Sequence, residues 1–295
     1  EWMGSCHVCA GSGKRVGLSL VAAVCELVAL VGCSQDPEAK RAKHFARGQQ
    51  YLSQGKPDEA IIEFRNAIQA APRFAEGHNL LGGGYRQKGW IFDARASFQR
   101  AIEIRPDYVE AHLNLASIGL EVGATQNAET AVAAALGLEP NNARALVYKG
   151  MVLARQNRLP AAMASIRKGL AASPDLAEGH LALGNVSRLQ GQVREAAAAY
   201  RRAVTLDPGL AEGHVALGGL ALSQGRQDEA LQAFQAGVAA SPRNVPARVG
   251  LAGLLVSQGK LDEAIATLEA VPQGRVADPR LALPLASLYN RKRQP

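Results

Sequence analysis

Two apolar patterns divide this chain of 295 residues. The first is an almost unbroken apolar run from Val16 to Val31, preceded by Lys14 and Arg15. The second begins at Arg41 and is periodic. Small and large apolar residues stand in columns 34 residues apart, and Pro72, Pro106, Pro140, Pro174, Pro208 and Pro242 keep the same interval. A fixed period of this size marks a solenoid, in which each unit buries its apolar face against the next. With these prolines at position 32, the units run 41–74, 75–108, 109–142, 143–176, 177–210, 211–244 and 245–278, and a partial eighth covers 279–295.

Each column predicts a physical role. Position 8 is Gly48, Gly82, Ala116, Gly150, Gly184, Gly218 and Ala252, and position 20 is Ala in all seven units from Ala60 to Ala264. Small residues there let two antiparallel helices approach closely. Position 24 is Phe64, Phe98, Val132, Ile166, Tyr200, Phe234 and Leu268, which fill the space between hairpins. Position 15 is Gly in six units and Asn157 in the fourth, as a left-handed C-cap of the first helix requires. Acids such as Asp58–Glu59, Asp228–Glu229 and Asp262–Glu263 suit the start of the second helix, and Pro at 32 ends it. Two departures are local: Lys149 replaces the usual Leu at position 7 of the fourth unit, and Val276 replaces Pro in the seventh.

The pattern, clearest over Tyr51–Tyr85, resembles the tetratricopeptide repeat family across 41–278 and more weakly to the end. The resemblance implies an all-α fold: a right-handed superhelix of helix-turn-helix hairpins whose first helices line a concave face. It also gives the groove positions. Position 2 supplies Glu76, Glu110, Arg144, Glu178 and Glu212; position 5 supplies Phe45, Asn79, Leu113, Val147, Leu181, Val215 and Val249. Asn185 at position 9, with Arg86, Arg155 and Arg188 at position 12 or 13, completes the set. The expected face is an apolar stripe flanked by acids and a few arginines, suited to a helix or extended segment of a partner protein. No unit pairs a basic residue at 5 with Asn at 9, so the clamp for acidic chaperone C-termini is not expected. Only Asn114 stands in the position-6 column, so an asparagine-ladder groove is not expected either.

The recurring Glu-X-His of Ala75–His78, Ala177–His180 and Ala211–His214, with Val109–His112, looks at first like chemistry. Yet His44, His78, His112, His180 and His214 all fall at position 4, a packing position. Neighbouring copies sit on helices about 10 Å apart, whereas a metal needs ligands at about 2 Å. The Glu and His of one unit point about 200° apart around a helix. Leu81–Tyr85, "LGGGY", likewise falls inside a helix and is no phosphate loop. Nothing in 34–295 forms a nucleophile–base pair, metal cluster or nucleotide loop at recognisable spacing. No enzymatic activity, cofactor or metal is expected.

Composition adds little to this. The chain is 47% hydrophobic but only 5% aromatic, as Ala- and Leu-rich packed helices would be. Its net charge of +7 permits contact with anionic surfaces but comes without a nucleic-acid signature, so no nucleic-acid partner is expected. Cys6, Cys9, Cys25 and Cys33 all precede the periodic region, which excludes a disulfide framework there.

Those cysteines belong to the first pattern. A run of 16 apolar residues is short for a bilayer span but matches a signal-peptide core. It ends in Leu30–Cys33, "LVGC", which resembles the bacterial lipobox, with Cys33 the lipidated residue. Residues 1–33 are thus expected to be a signal segment and 34–40 a linker. A plain cleaved signal or an uncleaved anchor remains open, and Glu26 within the core weakens insertion. "CHVCAGSG" (Cys6–Gly13) resembles one copy of the zinc repeat of DnaJ-type chaperones, but zinc needs two copies. After Cys33 come Ser34 and Gln35, with no Asp at the second place, so inner-membrane retention is not signalled; the resemblance implies the outer membrane, facing the periplasm. Bacterial lipoproteins of the resembled type serve pilus assembly, outer-membrane protein assembly, or exopolysaccharide and exosortase-linked secretion. The reading is therefore a non-enzymatic, lipid-anchored scaffold of an envelope complex. The alternatives are a fragment of a larger protein such as a glycosyltransferase, and a cytoplasmic adaptor or co-chaperone.

Overall fold

The computed structural model describes residues 36–270 and 279–293. The expected signal segment, Cys33 and Val276 lie outside the described residues. Within them the chain forms fifteen helices and no strand. They alternate as first and second helices of hairpins: α1 (Pro37–Ser53) with α2 (Pro57–Ala70), α3 (Ala75–Gln87) with α4 (Ile91–Ile104), α5 (Val109–Glu121) with α6 (Thr125–Leu138), and α7 (Ala143–Arg155) with α8 (Leu159–Ala172). Then come α9 (Ala177–Leu189) with α10 (Val193–Leu206), α11 (Ala211–Ser223) with α12 (Gln227–Ala240), α13 (Val245–Ser257) with α14 (Leu261–Glu269), and α15 (Pro279–Arg293). Each helix packs on its chain neighbours, and first helices also touch the first helix of the next hairpin. One expectation fails at the start. Residues 37–40, expected as linker, belong to α1, because the Asp36 side chain caps the Glu38 N–H and Pro37 stands in the first turn, where its missing N–H costs nothing.

The hairpin turns are set by backbone conformation. Gly55, Gly89, Gly123, Gly191, Gly225 and Gly259 have φ between 68° and 77°. Asn157 takes φ of 60° at the same place, the residue type besides Gly that tolerates it best.

Inside each hairpin, position 8 lies under position 24. A Cβ on Gly82 would stand 2.6 Å from the Phe98 ring, and one on Gly184 would stand 2.4 Å from the Tyr200 ring. Gly48 meets Phe64 and Gly218 meets Phe234 in the same way. Phe64, Phe98, Ile166 and Tyr200 are wholly buried, as are all seven alanines of position 20. Burying one such ring removes it from water for about 2–3 kcal/mol.

Position 4 joins one hairpin to the next. Nε2 of His78 lies 3.2 Å from the Pro72 carbonyl oxygen, His112 2.9 Å from that of Pro106, His180 2.8 Å from Pro174 and His214 3.1 Å from Pro208. A carbonyl only accepts, so each ring carries its proton on Nε2. These carbonyls stand just past a helix end, where no backbone N–H follows to meet them. In the last full hairpin Arg248 takes over: Nε donates to Pro242 at 2.7 Å and its fork reaches Thr267 and Ala270 at 2.6 and 3.0 Å. His44, in the first hairpin of the described residues, instead pairs with Glu63 at 2.6 Å. Among the described residues no group of three His, Cys, Asp or Glu side chains could hold a metal.

Two outcomes follow from this packing. Gly82→Ala is expected to destabilise by about 1–3 kcal/mol, because the Phe98 ring is enclosed. Its neighbour Gly83→Ala, with nothing within 4 Å of the added atom, is expected to stabilise by about 0.5–1 kcal/mol. Denaturant midpoints of the two variants check both. The His78 pKa is lowered from 6.5, by burial first and also by Arg100, against the Pro72 carbonyl and Glu103. The folded state therefore favours the neutral ring, a contribution present above pH 6.5 and lost as pH falls from there through the lower folded value. Melting temperatures measured from pH 7.5 down should drop less steeply for His78→Gln than for the unchanged chain; equal slopes would refute the assignment.

Candidate concave site

The first helices bend around a concave space of about 1260 Å³ that reaches from the second hairpin to α15. Of the residues expected in the groove, Arg86, Leu181, Asn185, Arg188, Glu212 and Val215 line it. Glu121 of α5, Met151 of α7, and Gly219 and Ser223 of α11 share the wall.

The remaining expected residues are placed elsewhere, for identifiable reasons. Leu113 and Val147 are corrections: they are 1% and 0% exposed and belong to the core. Val147 is roofed by glycines, since Cβ atoms on Gly169 and Gly179 would lie 3.0 and 3.2 Å from its Cγ2. Leu113 shares its cluster with Ala145 and Tyr148 of the next hairpin. Asn79 is also buried; its amide reaches the Tyr108 hydroxyl at 3.4 Å and its oxygen accepts from Asn114 at 2.9 Å. Phe45 packs edge-on to Phe74 at 4.8 Å. Val249 is exposed but does not line the space.

The expected row of acids is committed to partners within the protein, two of them across hairpins. Glu76 pairs with Arg105 at 2.6 Å, and that guanidinium sits 3.7 Å over the Tyr108 ring. Glu110 pairs with Arg144 at 2.9 Å. Arg144 also reaches the Tyr148 hydroxyl at 3.4 Å, and that hydroxyl donates to Glu178 at 3.0 Å. One polar chain thus ties the third, fourth and fifth hairpins. Burial pushes the Tyr148 hydroxyl pKa up, and the Glu178 carboxylate adds to it. Burial opposes the charge on Arg144, but Tyr148 and Glu110 outweigh it and hold its pKa up. Arg155 is committed to the Leu120 carbonyl.

What faces the concave space is consequently basic. Arg86, Lys88, Arg188, Arg243 and Arg280 line it, against Glu121 and Glu212. Arg86 donates to Ser117 at 3.0 Å, Lys88 pairs with Asp58 at 2.7 Å, and Glu212 accepts from Asn244 at 3.4 Å. Tyr200 was missed by sequence reasoning. Its ring fills position 24, but its hydroxyl emerges to donate to Asn185 at 2.9 Å. Burial raises its pKa, while Arg188 beside it works the other way. Arg243 and Asn244 sit in the turn before α13, outside the helix positions a groove register considers. Only the presence of a hydroxyl or charge at those places could have signalled them.

Arginines, the apolar side chains of Leu181, Val215 and Met151, and a Tyr–Asn pair thus stand together on this wall. No nucleophile–base pair is part of it. No curated protein sequence matches the chain. Among solved structures, one similar to it is a chain of the APC/C hetero-tetramer Cut9–Hcn1, at TM-score 0.64 and 19% identity, over 81% of this chain and 46% of that one. A tetratricopeptide repeat protein from Parabacteroides merdae matches at TM-score 0.61 and 15% identity, over 85% of this chain and 99% of that one. PilW, a type IV pilus biogenesis factor, matches at TM-score 0.52 and 20% identity, over 72% and 98%. This chain thus spans under half the length of the Cut9–Hcn1 chain and nearly all of the other two. Three tetratricopeptide repeat profiles match the sequence: one over 44–74, one over 221–288, and one over 92–136, 120–177, 169–211 and 181–245, which together cover more than half of the chain. The chain belongs to the tetratricopeptide repeat family.

Proposed function

We propose that the protein is a non-enzymatic scaffold whose concave space holds a segment of a partner protein, in which acidic residues stand beside apolar ones. The observation that carries this reading is the inner wall itself: five cations against two carboxylates, next to half-buried Leu181 and Val215. Leu181 and Val215 offer apolar contact, while Asn185 and the Tyr200 hydroxyl offer hydrogen bonds to a peptide backbone. Charge complementarity sets partner choice and encounter rate more than raw affinity.

The setting we propose is a bacterial envelope assembly or secretion complex, with the chain held at the outer membrane through lipid on Cys33 and facing the periplasm. Support comes from the apolar run Val16–Val31 and the Leu30–Cys33 motif. The fold shared with PilW accords with it. No helix among the described residues is long and apolar enough to cross a membrane.

Leu181→Glu and Arg188→Glu are each expected to reduce partner recovery from envelope extracts about tenfold, equivalent to 1.4 kcal/mol. The same proteins recovered in equal amounts from wild type and both variants would sink the concave-site reading. Labelled palmitate is expected to enter the expressed chain and to be lost in Cys33→Ala; equal labelling of the two would remove the proposed anchor.

A further inference from the structure

The opposite, convex face carries a second feature, at position 7 of the fourth hairpin. Leu81, Leu115, Leu183, Leu217 and Leu251 occupy that column, with Arg47 in the first hairpin and Lys149 in the fourth. Leu115 and Leu217 line the grooves between consecutive second helices in the third and sixth hairpins. In the fourth, Lys149 takes that place and stands exposed within the groove between α6 and α8. This trough encloses about 720 Å³, and the Leu115 groove about 610 Å³, so what sets it apart is charge more than room.

Its floor is apolar, from Leu136, Leu146, Val152 and Leu153, and its walls include Ala133 and Ala164, both exposed. Walls this low admit another helix at an axial distance of about 8–10 Å. Arg158 and Lys168 join Lys149 along the trough. Arg144 and Arg167 of the same hairpin are paired with Glu110 and Glu195, but none of these three cations has an ion-pair partner among the described residues. The one acid of the lining, Glu129, accepts from Gln156 at 3.0 Å.

The spacing of the cations selects the occupant. Arg158 and Lys168 are ten residues apart at either end of α8, about 15 Å along its axis. A single carboxylate or phosphate head reaches one end only, whereas a helix with acids on both flanks reaches all three. The geometry points to a second docking site, in which an acidic amphipathic helix of a partner protein lies along the α6–α8 trough. Its apolar side faces Leu136, Leu146 and Leu153, and its carboxylates meet Lys149, Arg158 and Lys168. This inference does not rest on the concave site.

The test uses the full chain and a fluorescein-labelled synthetic helix with Leu at i, i+3, i+4 and i+7 and Glu on both flanks, followed by anisotropy. Lys149→Glu combined with Lys168→Glu should weaken binding about tenfold or more. Leu181→Glu in the concave space should leave it unchanged, and a helix with Lys in place of Glu should not bind. Should the double variant lose helix content by circular dichroism, Lys168→Gln reads the same loss in smaller measure. Equal affinity for wild type and convex variants would overturn the proposal, as would loss on Leu181→Glu. Binding of laurate or phosphatidylglycerol vesicles that depends on Lys149 and Lys168, with none of the peptide, would replace the protein segment by a lipid.

Discussion

The structure depends on one contact repeated seven times: a residue without a side chain, or nearly so, beneath a large one within the same hairpin. Gly48, Gly82, Gly184 and Gly218 lie under aromatic rings, and Gly150 lies under Ile166. Ala116 and Ala252 appear where position 24 shrinks to Val132 and Leu268. The two columns compensate each other, so the helix pair keeps one separation although its contents vary. Close packing requires this, since one surplus methylene in an enclosed site forces rotamers or backbone to move. With each hairpin held to the same thickness, the next stacks in the same way, and the array extends by nearest-neighbour contacts alone.

That regularity explains what could be read from the sequence. Columns 8, 15, 20, 24 and 32 answer to contacts within one hairpin or to a backbone dihedral, and both are local. The histidines of position 4 could be recognised as part of the scaffold, because five of them share a column. Their partner could not, because the Pro72, Pro106, Pro174 and Pro208 carbonyls are backbone atoms of the preceding unit. Arg248 shows the physical requirement more clearly than the histidines do: a different side chain in the same column finds the same carbonyl.

The concave site was less legible, and the reason is the relation between neighbouring units. Whether a position-5 side chain faces solvent depends on what the next hairpin lays over it. Val147 disappears because Gly169 and Gly179 allow close approach, while Leu181 remains half-open. The position-2 acids suffer the same ambiguity. Glu76, Glu110 and Glu178 each find a basic or phenolic partner from the same or an adjacent unit, and a register alone cannot show that. Tyr200 belongs to two environments at once, its ring filling the hairpin and its hydroxyl meeting Asn185 at the concave wall.

Charge is distributed by the same logic. A solenoid must spend polar groups at its joints, because buried carbonyls and carboxylates left without partners cost more than the bonds they form return. Glu76, Glu110 and Glu178 are committed in this way, in a chain whose net charge is already +7. What is left for recognition is therefore a positive excess, and it surfaces in two places. On the inner wall it accompanies Leu181 and Val215; on the outer face it lines the trough that holds Lys149. Both places put cations beside apolar surface, so each discriminates by composition as well as by shape. Helix α7 serves both, giving Met151 to the inner wall and Lys149 to the trough. With both proposed sites filled, such a scaffold would hold two acidic partners at once, their separation set by the hairpin repeat instead of by a flexible linker.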